Sequence, residues 1–360
     1  MNIISNLQTK LHILKAYHGD CLLIRTFNLD EQPFTILIDG GPSTTFNFAL
    51  RNALKDDCVI DLMILTHIDS DHIGGLISFA ENSRFAEMDI KKIWVNCANL
   101  VPIGPNGELI TYGQGVVLEK WLIDRNVPKH IFSERVTTNM RNECSNGICF
   151  EILSPTPAIL NAVTENWPEL SQEYKDKMAA LPITNDAPSQ IKKGTMTDLA
   201  KIAFRASSSV SSDLFNAMSI AFVLRTPDLS ILLLADSRPE VIKESLVALG
   251  YNETHNRLKV DYVKVSHHGS KNNTSIEVLD MVESYNFIFS TNGGSGRSKH
   301  PDRETIARLL YHPKRDLNKR IKLYFNYPLS EITATSGLLF TAEELKMANA
   351  EYFDDICLVP

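Results

Sequence analysis

The chain of 360 residues lacks any long hydrophobic run, and its strongest apolar stretch is the short segment 230–235. A helix that crosses a bilayer needs about 20 consecutive apolar residues, so we expect no membrane insertion. The opening sequence MNIISNLQTKLHILK has neither the cationic start nor the sustained apolar core of a secretory signal. We therefore expect a cytoplasmic protein that has no membrane partner.

Cysteine is also scarce, with six residues at positions 21, 58, 97, 144, 149 and 357. The only close pair, Cys144 and Cys149, does not have the two-residue spacing of a zinc knuckle. Disulfides are rare in a reducing cytoplasm. We therefore expect these cysteines to be reduced thiols in the core.

Composition and net charge restrict the class of protein only loosely. The fractions of 44% hydrophobic and 22% charged residues are typical of a folded domain, and the net charge of −7 argues against a surface that is basic throughout. Local basic patches are compatible with that charge, although such clusters more often form a solvated face. Protein partners are possible, but the sequence does not identify them. The candidate patches are Lys192, Lys193, Lys201 and Arg205, and Lys314, Arg315, Lys319, Arg320 and Lys322.

The pattern of apolar residues predicts strands that alternate with helices, and hence an α/β fold in which two mixed sheets lie between helical layers. We assign residues 1–360 to one domain, with a polar insertion or lid at 158–215 and a C-terminal extension at 327–360. The predicted strands are 10–17, 21–27, 34–39, 62–66, 93–97, 148–153, 218–226, 230–235, 259–265, 287–290 and 321–326. The predicted helices are 44–54, 116–124, 239–249, 275–285 and 302–311.

Polar side chains that are able to bind metal ions follow several of these strands. Asp39 comes after TILI, His67 after LMILT, and Asp236 after ILLLA, and the pair His267 and His268 comes after YVKVS. Strand ends hold side chains on rigid supports at the rim of a sheet, so residues distant in sequence can converge there. Taken singly, each of them is more often a satisfied polar residue at the end of a strand.

The dense cluster His67, Asp69, Asp71 and His72 makes a metal site the better interpretation. Such a concentration of charge needs compensation by ions or strong hydrogen bonds. His67 and Asp69 can point to one ion and the Asp71-His72 pair to a second, and a histidine from the 267–268 pair would complete the second site. The two oxygens of Asp236 suit it to bridge both ions.

The segment HIDSDHIGGL resembles the HxHxDH signature of the metallo-β-lactamase fold, with aspartate in place of the second histidine. Together with LIDGGP at 37–42, LLLADS at 232–237 and VKVSHHGSK at 263–271, it is similar to the soluble hydrolase domain of the ComEC competence-channel family. The resemblance extends from His18 to Pro301 and implies an αββα sandwich. Nothing in the chain resembles the membrane part of that channel.

The resemblance also implies roles for individual residues. Asn216, in a segment that resembles the NNxS of the ComEC group, would join the first metal site, which is then rich in oxygen ligands and compatible with zinc or manganese. His268 would bind the second metal, and His267 would contact substrate phosphate or transfer a proton. Asp39 would orient a metal-bound histidine, although it could instead cap the Gly40-Gly41-Pro42 turn.

A glycine-rich loop at 292–301 could bind phosphate through its backbone N–H groups and its cationic side chains. The His300-Pro301 ending resembles the family and makes His300 a catalytic candidate. Arg297 and Lys299 in this loop, and Lys271 at the end of HHGSK, are candidates for binding the substrate phosphate.

The cluster predicts a metal site, and the resemblance to the ComEC group implies a phosphodiesterase or nuclease that uses a hydroxide held by two divalent ions, with Asp71 orienting that hydroxide. The substrate would be nucleic acid or another phosphodiester. One alternative is hydrolysis of a different bond, such as a lactone, a peptide or a phosphorylcholine ester, because this fold hosts several chemistries. Another is a binding or regulatory module with negligible activity.

Overall fold

The computed structural model describes residues 7–83, 88–96, 118, 121–132, 134–166, 194–206, 209–294 and 299–359. None of the helices within these ranges is long and apolar enough to cross a membrane. The strands are β1 (Lys10–Ile13), β2 (Leu22–Phe27), β3 (Pro33–Ile38), β4 (Val59–Ile60), β5 (Leu62–Leu65), β6 (Asp89–Ile90), β7 (Ile93–Val95), β8 (Asn142–Ser145), β9 (Ile148–Ser154), β10 (Ala221–Arg225), β11 (Ser230–Leu233), β12 (Leu258–Lys259), β13 (Tyr262–Lys264), β14 (Val282–Glu283), β15 (Asn286–Phe289), β16 (Ile321–Phe325), β17 (Ala350–Phe353) and β18 (Leu358–Val359).

The helices lie between these strands. They are α1 (Arg51–Ala53), which continues a π-helical turn at Phe46–Leu50, α2 (Ser70–Ala80), α3 (Lys129–Phe132), α4 (Pro157–Glu165), α5 (Met196–Ala200), α6 (Leu214–Ala217), α7 (Pro239–Ala248), α8 (Ile276–Met281), α9 (Arg303–Leu310), α10 (Leu329–Ser336) and α11 (Ala342–Met347).

Two large sheets form the body of the fold. The first has the strand order β18-β1-β2-β3-β5-β7, and the second has the order β17-β16-β15-β13-β11-β10-β9-β8. Both contain parallel and antiparallel pairs, so both are mixed sheets. Two further parallel pairs, β4 with β6 and β12 with β14, lie outside them.

The alternation of side chains along the strands builds three apolar layers. In β2, Leu22 and Ile24 belong to the core between the two sheets, whereas Leu23 belongs to the core under the helices of the first half. In β11, Ile231 lies between the sheets and Leu232 lies under the helices of the second half. Successive side chains of a strand point to opposite faces, so each sheet is buried on both sides. The predicted αββα sandwich is confirmed.

The segments predicted as an insertion and as an extension both contact this body. The described ends of the insertion contribute Leu160 to the core of the first half and Met196 to that of the second half. The C-terminal segment adds β17 to one sheet beside β16, and β18 to the other sheet beside β1. It therefore provides an edge strand to each of the large sheets.

The structure corrects the expectation for two of the cysteines. Cys144 and Cys149 are joined by a disulfide, because the β8–β9 hairpin places them directly opposite each other. This pairing depends on the register of the hairpin, which cysteine spacing alone does not reveal. Cys21 is buried as expected, whereas Cys58 and Cys357 are exposed. Cys97 lies outside the described residues.

Candidate metal centre

The candidate centre lies where parallel strands of both sheets end. β3 and β5 run side by side in the first sheet, and β11, β13 and β15 do so in the second. Parallel strands present their carboxyl ends at the same edge of a sheet. Residues that follow these strands in sequence therefore meet at one rim.

The turn after β5 brings the first cluster together. His67 and His72 are buried with their ring centroids 4.1 Å apart, whereas Asp69 and Asp71 are partly exposed. Asp69 is the N-cap residue of α2, and its Oδ2 lies 3.6 Å from His67 Nε2. The start of α2 thus buries the two imidazoles and leaves the two carboxylates partly exposed.

Asp236 occupies the middle of the cluster. It follows β11, and its side chain is buried. Its carboxylate oxygens lie close to four imidazole nitrogens, at 3.9 Å from His67 Nε2, 3.6 Å from His72 Nε2, 3.5 Å from His267 Nδ1 and 3.9 Å from His268 Nε2. One carboxylate therefore faces histidines from two separate motifs.

Three groups of potential ligand atoms converge within 4.8 Å among the described residues: His67, His72 and Asp236; Asp71, His72 and His268; and Asp20, Asp39 and His72, the last of which is already joined by the bond between Asp39 and His72. The Nε2 atoms of the three histidines and Oδ1 of Asp236 are buried and have no hydrogen-bond partner among the described residues. Such atoms are costly unless they are compensated. Imidazole and carboxylate groups bind zinc and manganese, so this donor set fits divalent ions.

Asp39 organises both histidines of the first cluster. Its carboxylate accepts hydrogen bonds from His72 Nδ1 at 2.8 Å, from the Thr66 backbone N–H at 2.8 Å and from Thr66 Oγ1 at 2.7 Å. Because the Thr66 hydroxyl donates to Asp39, it accepts from His67 Nδ1, which is 3.1 Å away. Both histidines therefore direct Nε2 toward Asp236.

Glycines allow the backbone of α2 to approach the end of β3. Gly40 N donates to His72 O at 2.7 Å, and Gly75 N donates to Gly41 O at 2.8 Å. A Cβ atom built on Gly75 would lie 1.9 Å from Gly40 O, closer than any real contact. The Gly74-Gly75 pair is therefore required to bring His72 against Asp39.

We expect Gly75→Ala to lower the free energy of unfolding by about 1 to 3 kcal/mol, because the backbones of α2 and the Gly40 turn must separate. Urea denaturation measures this change. Ser78→Ala in the same helix is the control, and its effect is expected to stay within about 0.5 kcal/mol. An equal effect of the two substitutions would contradict the close-packing argument.

The two adjacent histidines after β13 have an unusual backbone. His267 and His268 both have positive φ angles, 47° and 54°. Residues other than glycine rarely adopt this left-handed region, and such strain concentrates at functional sites. His267 N donates to Ala235 O at 2.9 Å, which ties the turn to the loop that carries Asp236.

His268 is held by a buried ion pair that the sequence interpretation did not include. Its Nδ1 lies 2.9 Å from Ser290 O and 3.5 Å from Asp20 Oδ1, which leaves Nε2 3.5 Å from Asp71 Oδ2. Asp20 in turn forms an ion pair with Lys264, and both side chains are at most 2% exposed. Lys264 is a charged residue at the end of the otherwise apolar strand β13. A charged residue in such a strand was the sequence feature that could have indicated a buried ion pair.

The buried groups shift one another's pKa. Burial disfavours protonation of His268, but Asp236 and Asp20 outweigh it and raise its pKa to about 9. Burial lowers the pKa of His267 to about 4, and Asp236 offsets this only in part. Although burial acts to raise the pKa of Asp236, the surrounding histidines hold it well below its usual range. Because metal ligands must be deprotonated, ion binding at His268 competes with protonation of its imidazole.

His300 lies beside His267 at the mouth of the centre, with ring centroids 5.4 Å apart. Its Nδ1 is 3.2 Å from Asp302 Oδ2, and Asp302 also accepts from the backbone N–H of Lys271 at 2.9 Å. The ammonium of Lys271 lies 3.8 Å from Glu304 Oε1. Asp302, which the sequence interpretation did not include, thus links the two substrate-binding candidates.

Asn216 is anchored by Asp213, which accepts from Asn216 Nδ2 at 2.9 Å and from Arg238 Nη1 at 2.7 Å. The buried Arg238 comes two residues after Asp236 and connects the two segments. Asn216 Oδ1 is buried and has no hydrogen-bond partner among the described residues. This orientation leaves an oxygen available as a ligand.

Several of the remaining basic candidates within the described residues contact acidic side chains or backbone carbonyls. Lys314 pairs with Glu253, Lys319 lies 3.6 Å from Glu283, and Arg320 lies 3.5 Å from Glu351. Arg315 donates to backbone carbonyls. Lys299 is partly buried, whereas Lys192, Lys193 and Arg297 lie outside the described residues. Ion pairs thus neutralise much of the C-terminal patch.

In a comparison with known protein families, residues 16–134 match the model of the metallo-beta-lactamase superfamily. Among solved structures, the chain is similar to the metallo-beta-lactamase fold protein YhfI from Bacillus subtilis, with 10% identity over 96% of both chains and a TM-score of 0.39. It is also similar to CmlA, a diiron beta-hydroxylase from Streptomyces venezuelae, with 12% identity and a TM-score of 0.41. That alignment covers 99% of this chain and 54% of the CmlA chain.

A long form RNase Z from yeast is 11% identical over 81% of this chain and 38% of that chain, with a TM-score of 0.35. The chain spans about half the length of the hydroxylase structures, 49% in one and 54% in the other. No curated protein matches the chain at a significant level.

Proposed function

We propose that this chain, which carries a metallo-β-lactamase superfamily domain, is a metal-dependent phosphodiesterase that acts on nucleic acid or a related phosphodiester. The observation that carries the proposal is the convergence of buried, unpartnered imidazole and carboxylate atoms from His67, His72, Asp236 and His268. The ComEC-like motifs, VKVSHHGSK above all, support a phosphodiester as the substrate.

Divalent ions bound by these residues would activate a water molecule and stabilise negative charge on the substrate. His67, Asp69, Asn216 and Asp236 would hold one ion. Asp71, His72 and His268 would hold the second, with Asp236 between the two. Asp39 fixes the tautomers of the first two histidines through its bonds to His72 and Thr66.

The residues at the mouth would act on the substrate directly. Asp71 is partly exposed, and it would orient the attacking water. His267 is 25% exposed beside Asp236, and with His300 it would donate hydrogen bonds to the phosphoryl oxygens. Lys271 and the loop that contains Lys299 would add positive charge around the same oxygens.

A substrate screen with manganese, zinc and magnesium tests this function. We expect metal-dependent cleavage of bis(p-nitrophenyl) phosphate, and of DNA, RNA or a cyclic nucleotide. Asp71→Ala is expected to lower the rate about 100-fold or more, because it removes both a ligand and the group that orients the water.

The same screen distinguishes the alternatives. Cleavage of a lactone, a peptide or a phosphorylcholine ester without any phosphodiester cleavage would replace this function by another hydrolysis. If metal analysis found no bound ion, and added metal left wild type and Asp71→Ala equally inactive, a binding or regulatory module would be the better description.

A further inference from the structure

An aromatic pair, of which Phe48 is exposed and Tyr17 half-buried, is connected to the first turn of α2 through the loop that follows β1. Phe48 belongs to the turn Phe46–Leu50, in which Phe46 and Leu50 are buried. Phe48 itself is 63% exposed, and its ring centroid is 6.0 Å from that of Tyr17, with the planes inclined at 40°. A large aromatic side chain that remains exposed beside a polar site provides a surface for a planar ligand.

The pair is joined to the centre through the loop that contains Tyr17. Two residues after Tyr17, Gly19 packs against the first turn of α2, where an added Cβ would lie 1.8 Å from Asp71 O. Successive Cα atoms are about 3.8 Å apart, so the backbone of Tyr17 lies within about 8 Å of that contact. The backbone of Tyr17 therefore lies near the first turn of α2, which carries Asp71.

The backbone of Tyr17 is held in a conformation that is rare for a bulky residue, with φ at 57°. Its N–H donates to Tyr327 Oη at 2.7 Å, and its carbonyl accepts from Asn292 N at 2.7 Å. Asn292 begins the glycine-rich loop that leads to His300. These contacts tie Tyr17, which follows β1 of the first sheet, to the segments that follow β15 and β16 of the second sheet, so the position of its backbone is set before any ligand binds.

We infer that Tyr17 and Phe48 form a stacking subsite for a nucleobase of the substrate, adjacent to the position of the phosphate. The inference rests on the proposed phosphodiesterase function and names nucleotides as the substrate class. Aromatic side chains stack on bases of any sequence, so this subsite supplies affinity without sequence preference.

The test compares adenosine 5′-monophosphate with ribose 5-phosphate, which carries the same phosphate but no base. Calorimetry in the presence of manganese is expected to show that the wild type binds the nucleotide about 5- to 150-fold more tightly, the range for one stacked base. Phe48→Ala and Phe48→Leu are expected to lower that ratio to near one and to leave the affinity for ribose 5-phosphate unchanged.

Two control variants separate stacking from general effects. Phe48→Trp keeps an aromatic ring and is expected to retain the wild-type ratio. Phe353→Ala removes a different partly exposed ring, which stacks on Tyr324 at the edge of the second sheet, and it is expected to change nothing.

Equal wild-type affinity for the two compounds, or a ratio that survives Phe48→Leu, would overturn the subsite. Absence of any binding of the nucleotide would overturn it as well. If the ratio depends on Phe48 but no phosphodiester is cleaved, the proposed function fails and the base-binding subsite stands. If cleavage is metal-dependent but the ratio is one, the function stands and the subsite fails.

Discussion

Replacing Lys264 by methionine is expected to lower the free energy of unfolding by about 3 to 5 kcal/mol. The Lys264 side chain is 1% exposed and pairs with Asp20, which is 2% exposed, so the substitution leaves the buried carboxylate without its lysine partner and with only the His268 imidazole beside it. Urea denaturation at neutral pH measures the loss. Asp20→Asn combined with Lys264→Met is expected to recover part of it, because that pair of residues is uncharged.

Lys91→Met is the matched control, since the Lys91 ion pair with Asp89 is more than half exposed and contributes little.

The pH dependence has a defined sign. Lys264 holds the pKa of Asp20 below its usual range against the effect of burial. The contribution of the pair is therefore present above the unfolded pKa of about 3.9 and is lost as the pH falls. If Lys264→Met lowered the free energy of unfolding by less than about 1 kcal/mol at neutral pH, the buried ion pair would not make the expected contribution to stability.

Asp236→Asn is expected to reduce phosphodiester cleavage about 1,000-fold and to lower the number of ions bound per chain. Asp236 is the only carboxylate among the described residues that lies within 4 Å of imidazole nitrogens of His67, His72, His267 and His268. An amide has no negative charge to offer two cations. Metal analysis of the purified chain and a rate assay with manganese measure the two effects.

The control is Asp56→Asn, which neutralises an exposed carboxylate and is expected to leave both the metal content and the rate unchanged. An Asp236→Asn variant that retained the wild-type metal content and rate would remove Asp236 from the centre. Loss of activity with full metal content would instead point to a role in orienting the water.

The apolar strands and the strongly periodic helices were predictable from sequence. The segments 62–66 and 230–235 are short, apolar and β-rich, and they correspond to β5 and β11. The helix predicted at 275–285 was wrong at its C-terminal end, because α8 stops at Met281 and Val282–Glu283 pairs with Leu258–Lys259. The short strands β17 and β18 carry too little periodic signal to be recognised without their partners.

The candidate site likewise contains residues that could be predicted from sequence and residues that could not. His67, Asp69, His72, Asp236 and His268 could be selected because they are dense in sequence or follow apolar strands, and the structure brings them together. Asp20 and Lys264 could not, because their partnership joins residues 244 positions apart across the two sheets. Nor could the disulfide between Cys144 and Cys149, which depends on hairpin register.

By itself, the sequence determined the αββα layers and the list of metal-binding candidates, since apolar periodicity and residue chemistry are local properties. Only the tertiary structure decided that His72 is shared among three donor groups, that Asp39 orients His67 through Thr66, and that Tyr17 packs against Phe48. These relations arise where strand ends from two sheets meet, and their geometry is set by sheet order and close glycine packing rather than by distance along the chain.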